Sequence, residues 1–484
     1  MSAGGNIVSG DAALLCVDVG STWTKAALVE VPSGRLLATA STPTTLASDV
    51  LEGLEDVRAS AEAAAGRAAD DVLACSSAGG GLRLAVVGYE RVVTAEAGAR
   101  VGVSAGARVV HVSAGPLDAL GLSRLREARP DVVLLVGGTD GGNADVLLHN
   151  AKRLAERGPR VPYVVAGNTD VREEVCATLG AGRRTAIPTA NVLPRIGILD
   201  PMPARLAIRE VFVRHVIGGK KLSRGGRFAR LVRAATPDAV LTAVELLADG
   251  AGEVAGARDV VVVDVGGATT DVYSVLTPDP EESALHREVV EVLWRERTVE
   301  GDLGVRWNAP GVVAAAVAER LLEPADTARL EVVAAARAAD PGWVPVDDEG
   351  RDDDATLARL AMTVALRRHA RGVEPGEGGV RRPAKDLRPV RLVVGSGGVL
   401  RHADAARRTA VLEPATHDLA GGWKVPSRAA VVVDGRYVLA AAGLLAPDHP
   451  EAAARLLAAQ LTPTNSPPTN SPPTNSPPTN SPPT

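Results

Sequence analysis

Aromatic residues are scarce in this 484-residue chain, which has two Phe, four Tyr and five Trp. A protein that stacks bases along a nucleic acid strand needs more of them. The basic balance is missing too. Net charge is −5 and the pI is near 6.0, against a general binder of nucleic acid or acidic membrane. Arginine-rich stretches such as 224–233 are local and read as solvated helix faces. Cysteine occurs three times, as Cys16, Cys75 and Cys176, with no C-x-x-C pair. That excludes a disulfide frame and points to reduced thiols. No apolar run approaches the roughly 20 residues of a membrane helix, and "MSAGGNIVSG" lacks the basic start and apolar core of a signal peptide. These absences lead to three expectations: no nucleic-acid partner, no membrane partner and a cytoplasmic location.

What remains is a chain that is 46% hydrophobic, whose core must be built from Val, Leu and Ala. Its length suits two to four domains. From Ala13 the pattern is strand, turn, strand: "LLCVDV", "GST", "WTKAALVEV". "PSG" at 32–34 reads as a hairpin turn before "RLLATAST", and residues 49–68 have helical composition. "VLACSSAGGGLRLAVVG" reads as a strand, a glycine-rich turn and a strand. Over 91–200 short apolar runs alternate with helical stretches, the rhythm of an inserted parallel sheet. Residues 203–233 read as helical and basic. "TPDAVLTAVELLAD" is expected to be a helix with Thr236 as N-cap, Pro237 at the first helical position and Asp238 in the first turn. Residues 310–371 read as Ala-rich helices broken by an acidic loop, "DDEGRDDD". "VRLVVGSGGVLRHADA" reads as strand, turn, helix. "RAAVVVDGRYVLAAAGLLA" reads as strand, turn, short strand, helix. The expected division is a flexible 1–11, an α/β unit over 12–74, an inserted α/β subdomain over 75–235, a second unit over 236–446 and a terminal helix over 447–461. The "PTNSP" repeats of 462–484 carry nothing able to build a core and read as a disordered tail.

Three glycine turns carry the chemistry. "DVGGATTD", Asp264 to Asp271, interrupts an apolar strand pair with little side-chain bulk and two carboxylates. Glycine lets backbone N–H groups approach phosphate oxygens where a Cβ would clash. Threonine hydroxyls add donors, and carboxylates that would repel phosphate suit Mg2+ or its waters. Taken alone, the loop is equally well a tight turn with solvent-facing Asp. It is not alone. "DVGSTWTK", Asp18 to Lys25, has the same Asp-x-Gly start, hydroxyls at Ser21 and Thr22, and a Lys to neutralise phosphate. "VVGSGGVL", Val393 to Leu400, is the third turn. A GxxxxGK[ST] P-loop and a GxGxxG opening a helix are both missing.

This set resembles the actin/Hsp70/sugar-kinase ATPase superfamily, which implies a two-lobed, ribonuclease H-like α/β fold closing on Mg-ATP. "DVGSTWTK" resembles its first phosphate motif, "DVGGATTD" its second and "GSGG" its adenosine motif. "TPDAVLTAVELLAD" and "YVLAAAGLLA" resemble its two connecting helices. The resemblance implies that Asp18, Asp264 and Asp271 face Mg2+. It implies that Gly20, Ser21, Thr22, Lys25, Gly266, Gly267, Thr269 and Thr270 hold phosphates, and that Gly395, Gly397 and Gly398 pack on the nucleoside. Gly301 would lie near the nucleotide, and Glu245 is the candidate for orienting attacking water. The catalytic set is then Asp18, Lys25, Glu245 and Asp264.

More widely, the chain resembles the glutamate mutase (methylaspartate mutase) accessory proteins, abbreviated MutL or GlmL. The resemblance lies in "PDVVLLVGGTDGGN" at 130–143, "NVLPRIGILDPMPARLAIRE" at 191–210, "RTVEGDLGVR" at 297–306 and "VDGRYVLAAAGLLA". It implies an ATP-driven chaperone that releases damaged cobalamin from the adenosylcobalamin-dependent mutase, whose subunits would be its partners. Two of these stretches also have plainer readings. "GGTDGGN" suits a strand-to-helix turn with Asp or Asn as N-cap better than a second ligand site. "VEGDLG" suits either a helix start, with Glu300 and Asp302 in its first turn, or a place by the nucleotide. The eight His form no D-x-H-x-x-G, the cobalamin-ligating motif, which argues against corrin binding by this chain itself. A sugar-type kinase and an actin-like filament protein on the same fold remain alternatives, and monomer and homodimer both stay open. An iron–sulfur activator ATPase would need clustered Cys.

Overall fold

The computed structural model describes residues 11–461 except 79–81, 91–94, 96, 99–100, 103–106, 218–221, 225, 278–294, 373–383 and 419–420. The expected frayed start at 1–10, the glycines at 79–81 and the repeat tail at 462–484 lie outside the described residues.

Eight consecutive buried residues form β1 (Ala12–Val19). Burial on both faces explains why this strand reads as a continuous apolar run rather than an alternating one. β2 (Trp23–Val31) and β3 (Arg35–Pro43) follow as antiparallel neighbours, and β4 (Asp71–Ser76) pairs parallel with β1. The 50–65 helix between β3 and β4 is capped by Asp49, whose side chain accepts the Leu51 N–H, and it ends at Gly66 in the left-handed region.

The expected parallel sheet comes next. It consists of β5 (Arg83–Gly88), β6 (Arg108–Ala114), β7 (Val132–Leu135), β8 (Tyr163–Val165) and β9 (Ala186–Pro188), in the order β6-β5-β7-β8-β9, all parallel. β10 (Val232–Ala235) then returns to the first sheet beside β4. The divisions expected at residues 74 and 235 therefore fall inside one strand of the first sheet and at the end of another. Arg224, Arg227, Arg230 and Arg233 are exposed.

After a small ribbon of β11 (Gly250–Ala251) and β12 (Val254–Ala255), the first architecture recurs. β13 (Val260–Val265) pairs antiparallel with β14 (Thr270–Val275), which pairs antiparallel with β15 (Arg295–Glu300). β16 (Leu392–Ser396) runs parallel to β13, and β17 (Ala430–Val433) parallel to β16. The two sheets have the orders β10-β4-β1-β2-β3 and β17-β16-β13-β14-β15, the same sequence of strands used twice. Each last strand leads straight into a helix, Thr236–Asp249 after β10 and Val438–Leu445 after β17. The fold is the two-lobed, ribonuclease H-like α/β architecture expected of actin/Hsp70-type ATPases.

Along β13 the side chains alternate. Val260 and Val262 enter a core shared with Leu14, Cys16, Val244 and Leu445, which joins the first and third sheets through the two helices. Val261, Val263 and Val265 enter a separate core under the 309–318 and 348–371 helices. Asp264 has the parity of Val262, so it belongs to the face between the lobes.

Four local expectations need correcting. The N-cap of the 236–249 helix is Ala235, not Thr236, and Pro237 therefore takes the second position. The Thr236 hydroxyl donates to Asp18 instead of accepting from the helix. "DDEGRDDD" is no loop. Asp347 accepts the Gly350 N–H and caps a helix running 348–371, where carboxylates in the first turn suit the helix dipole. Further in, Asp353 and Asp354 are buried against Arg329, Arg306 and Arg337. "DGRYV" holds no short strand, because Asp434 accepts the N–H groups of Val438 and Leu439 and turns the chain directly into the helix. In "GGTDGGN" the cap of the 145–157 helix is Ala144, and Asn143 accepts the Asp145 N–H from one residue earlier.

Candidate functional site

The tips of β1–β2 and β13–β14 are built alike. The Gly20 N–H donates to the Trp23 carbonyl at 3.1 Å and the Gly266 N–H to the Thr269 carbonyl at 2.9 Å. A Cβ on Gly20 would sit 2.7 Å from the Trp23 oxygen, and one on Gly266 would sit 2.9 Å from the Thr269 oxygen. These two glycines close the turns, and their N–H groups are used in doing so. Each tip is also strapped from outside. Thr44 donates its N–H to Thr22 and its hydroxyl to the Gly20 carbonyl. Residues 305–307 donate to the carbonyls of Gly266 and Gly267, and Asn308 donates to those of Ala268 and Gly301.

"VEGDLG" is therefore no helix start. Glu300 ends β15, the next helix begins at Ala309, and Gly301 stands exposed beside the second tip. Of its carboxylates, Glu300 and Asp302 both accept from Arg368.

Two residues before each tip glycine stands an aspartate, Asp18 or Asp264, and both line one cavity between the lobes. Lys25, Thr236, Ser396, Asp434 and Tyr437 line it too, over an apolar floor that includes Cys16, Val240 and Ala441. The cavity is open to solvent, with a volume of about 40 Å3. Around Asp18, Thr236 Oγ1 donates to Oδ1 at 2.6 Å, the Cys75 thiol lies 3.6 Å from the same oxygen, and Lys25 Nζ is 3.6 Å from Oδ2. Burial alone would lower the Lys25 pKa. Asp18, Tyr437 and Asp264 outweigh it and raise the pKa above the ordinary value, so the ammonium stays charged. Burial pushes Asp434 up, helped by Asp264 and opposed by the two N–H groups it accepts. Burial also pushes the Cys16 thiol up to about 12 and, with Asp18, the Cys75 thiol well above its ordinary value. Neither thiol is a nucleophile at neutral pH.

Several residues expected at the site stand elsewhere. Asp271 faces Asp264 across the hairpin, but it is buried against Arg297 at 3.1 Å and does not line the cavity. Burial, partly opposed by Arg297, raises its pKa. The Thr270 hydroxyl points to the other side and donates to the Leu303 carbonyl at 2.6 Å. Glu245 accepts from Arg205 at 2.7 Å and is likewise not among the cavity's lining residues. Gly395 packs under Leu400 and Leu412, where a Cβ would come within 2.8 Å of either. Gly397, at φ 114°, passes so close to β13 that a Cβ would lie 2.2 Å from the Val265 oxygen. Gly398 is exposed, and a Cβ there would lie 3.7 Å from Tyr437 Oη. Ser21 is exposed, and Thr22, Gly267 and Thr269 are half-buried at the tips.

Thr236, Ser396, Asp434 and Tyr437 did not emerge from the motifs. The available signal at Asp434 was an aspartate directly before a glycine at the close of an apolar run, "VVVDG", and this aspartate also lines the cavity.

A family model described as MutL protein matches residues 14–461. A curated relative, Protein MutL of Clostridium tetanomorphum, is 36% identical over 455 residues, spanning 92% of this chain and 98% of the relative. Among solved structures, a nucleotide-free acetone carboxylase is 15% identical with TM-score 0.37, over 90% of this chain and 70% of that one. A glycerol dehydratase reactivase is 12% identical with TM-score 0.32, over 90% and 99%. A ROK hexokinase from Thermus thermophilus is 14% identical with TM-score 0.27, over 92% and 97%.

Proposed function

This chain belongs to the MutL protein family, and from that premise we propose that it is an ATP-dependent reactivating factor for an adenosylcobalamin-dependent glutamate mutase. The observation that carries the reading is the pairing of Asp18 and Asp264 in one interlobe cavity, each behind a hairpin tip of the same build, with Lys25 lining the same space. Two carboxylates suit Mg2+, which takes one or two of them together with waters and phosphate oxygens. No group of three or more His, Cys, Asp or Glu forms a metal cage among the described residues. A pair of carboxylates suits a cation that arrives with a nucleotide, whose phosphate oxygens complete its shell. Bound there, Mg2+ would neutralise phosphate charge.

The chain's own residues do the rest. Ser21, Thr22, Gly267 and Thr269 at the tips hold the phosphates, and Gly398 leaves room for the nucleoside. Lys25 keeps its proton and faces the phosphate charge. Catalysis is then positioning and electrostatics around the terminal phosphoryl group. The output is motion of the lobes about the 236–249 and 438–445 helices, which loosens damaged cobalamin from the mutase subunits in the cytoplasm. No helix among the described residues is long and apolar enough to cross a membrane.

Two measurements test this reading. Mg-ADP or Mg-ATP at millimolar concentration should raise the melting temperature by mass action on the folded state. Inactivated glutamate mutase mixed with the protein, Mg-ATP and fresh adenosylcobalamin should recover activity, and ADP should not replace ATP. A melting temperature indifferent to nucleotide would remove the ATPase. Recovery that needs no ATP would remove the coupling.

A further inference from the structure

Tyr437 lines the cavity, and the reading so far leaves it without work. Its backbone lies at φ 54°, ψ 42°, a region that an aromatic residue enters only when its surroundings impose it. What imposes it is visible. The Asp434 carboxylate, buried three residues earlier, takes the Val438 and Leu439 N–H groups and fixes the start of the 438–445 helix immediately after Tyr437.

The ring held there meets two cations. Lys25 Nζ, from β2 of the first lobe, lies 4.3 Å from its centroid, and Arg401 Cζ, from the short 398–402 helix of the second lobe, also lies 4.3 Å from it. Both distances are within the range in which a ring face attracts a cation. Arg401 pairs with no carboxylate among the described residues, whereas Lys25 shares itself between the ring and Asp18. Two positive charges drawn to one ring repel each other, and an anion that reaches both would relieve that repulsion. The hydroxyl end lies beside the glycine turn, since a Cβ on Gly398 would be 3.7 Å from Tyr437 Oη.

We propose that Tyr437 is a positioning residue whose ring presents Lys25 and Arg401, one cation from each lobe, to the same phosphate group of the nucleotide, so that the phosphate ties the lobes together. The proposal rests on the nucleotide reading above and adds Arg401 to the phosphate-binding residues.

Calorimetric titration of the full chain with Mg-ATP and with adenosine tests it. The variants are Tyr437→Leu, Tyr437→Phe and Arg401→Met, each checked for folding by thermal melting. Tyr437→Leu and Arg401→Met should each weaken Mg-ATP about tenfold, and Tyr437→Phe, which keeps the ring face, should stay within about twofold of the parent. Adenosine, which has no phosphate, should bind every variant as it binds the parent. Equal affinity of Tyr437→Leu for Mg-ATP would overturn the proposal, and so would equal loss in the Phe and Leu variants or a parallel loss of adenosine. If Tyr437→Leu does not fold, the Arg401→Met result decides: unchanged Mg-ATP affinity overturns the proposal. A parent protein that binds neither ligand takes down the nucleotide reading and this proposal with it. A parent that binds both, with variants like it, takes down this proposal alone.

Discussion

At the scale of single residues, the two hairpin aspartates and Lys25 are separable by their charge. Asp264→Asn keeps size and a hydrogen-bonding group but removes a negative charge from the cavity, while the backbone of the tips is untouched. Turnover should fall more than nucleotide affinity. Lys25→Ala removes the ammonium that faces Asp18 and Tyr437, and should weaken both. Each loss should be on the order of 2–4 kcal/mol in transition-state stabilisation, the scale of one preorganised electrostatic partner. Steady-state kinetics with a separate binding isotherm reads the split, and an Asp264→Asn protein that hydrolyses ATP at the parental rate would reduce "DVGGATTD" to a turn. The sequence singled out Asp18, Asp264 and Lys25, which line one cavity, because glycine spacing and carboxylates sit side by side there. It also named Asp271, Thr270 and Glu245, which do not line that cavity, because the partners that turn them aside are distant in sequence. Arg297, the Leu303 carbonyl and Arg205 lie 26, 33 and 40 residues away from them.

At the scale of elements, the loops that close over the tips depend on charge. Arg368, on the 348–371 helix, holds Glu300 at 2.9 Å and Asp302 at 2.8 and 3.0 Å, anchoring the turn that straps the second hairpin. Hydrogen bonding from Arg368, only partly offset by burial, keeps the Asp302 carboxyl below its ordinary 3.8. A carboxyl depressed in this way adds stability that is present above its unfolded value and is lost as the pH falls through the folded value. Arg368→Met should therefore lower the melting temperature at pH 7, and the gap from the parent should close below about pH 4. A gap equally wide at pH 7 and pH 3 would mean that Arg368 acts through packing alone. The strands and the parallel sheet were readable as apolar runs between turns. The acidic run at 347–354 was not: Asp347 caps the helix locally, but Asp353 and Asp354 can lie buried inside it only because Arg306, Arg329 and Arg337 arrive from elsewhere in the chain to pair with them.

At the scale of the whole molecule, two lobes of one topology meet along two helices, and the arrangement isolates what the machine needs. Residues 462–484 offer no side chain able to pack in a core, so deleting them should leave the melting temperature and ATP turnover unchanged. Aggregation of the truncated protein would contradict that. The crossing of the 236–249 and 438–445 helices should behave in the opposite way. Gly443 stands against the backbone of Ala239 so closely that a Cβ would lie 1.8 Å from the Ala239 oxygen and 2.5 Å from its carbonyl carbon. Backbone cannot rotate aside as a side chain can, so Gly443→Ala must push one helix off the other. Both helices line the cavity, through Thr236 and Val240 on one and Leu439 and Ala441 on the other. A displacement at the crossing therefore moves Asp18's partner Thr236 relative to Tyr437. The cost should be about 1–3 kcal/mol, the scale of overpacking, and mutase reactivation should fall with it, while Gly435→Ala, whose Cβ would meet nothing within 4 Å, should change stability far less. Melting curves and the reactivation assay read the two effects separately. If Gly443→Ala melts and reactivates as the parent does, the crossing is loose, and the lobes do not turn about it.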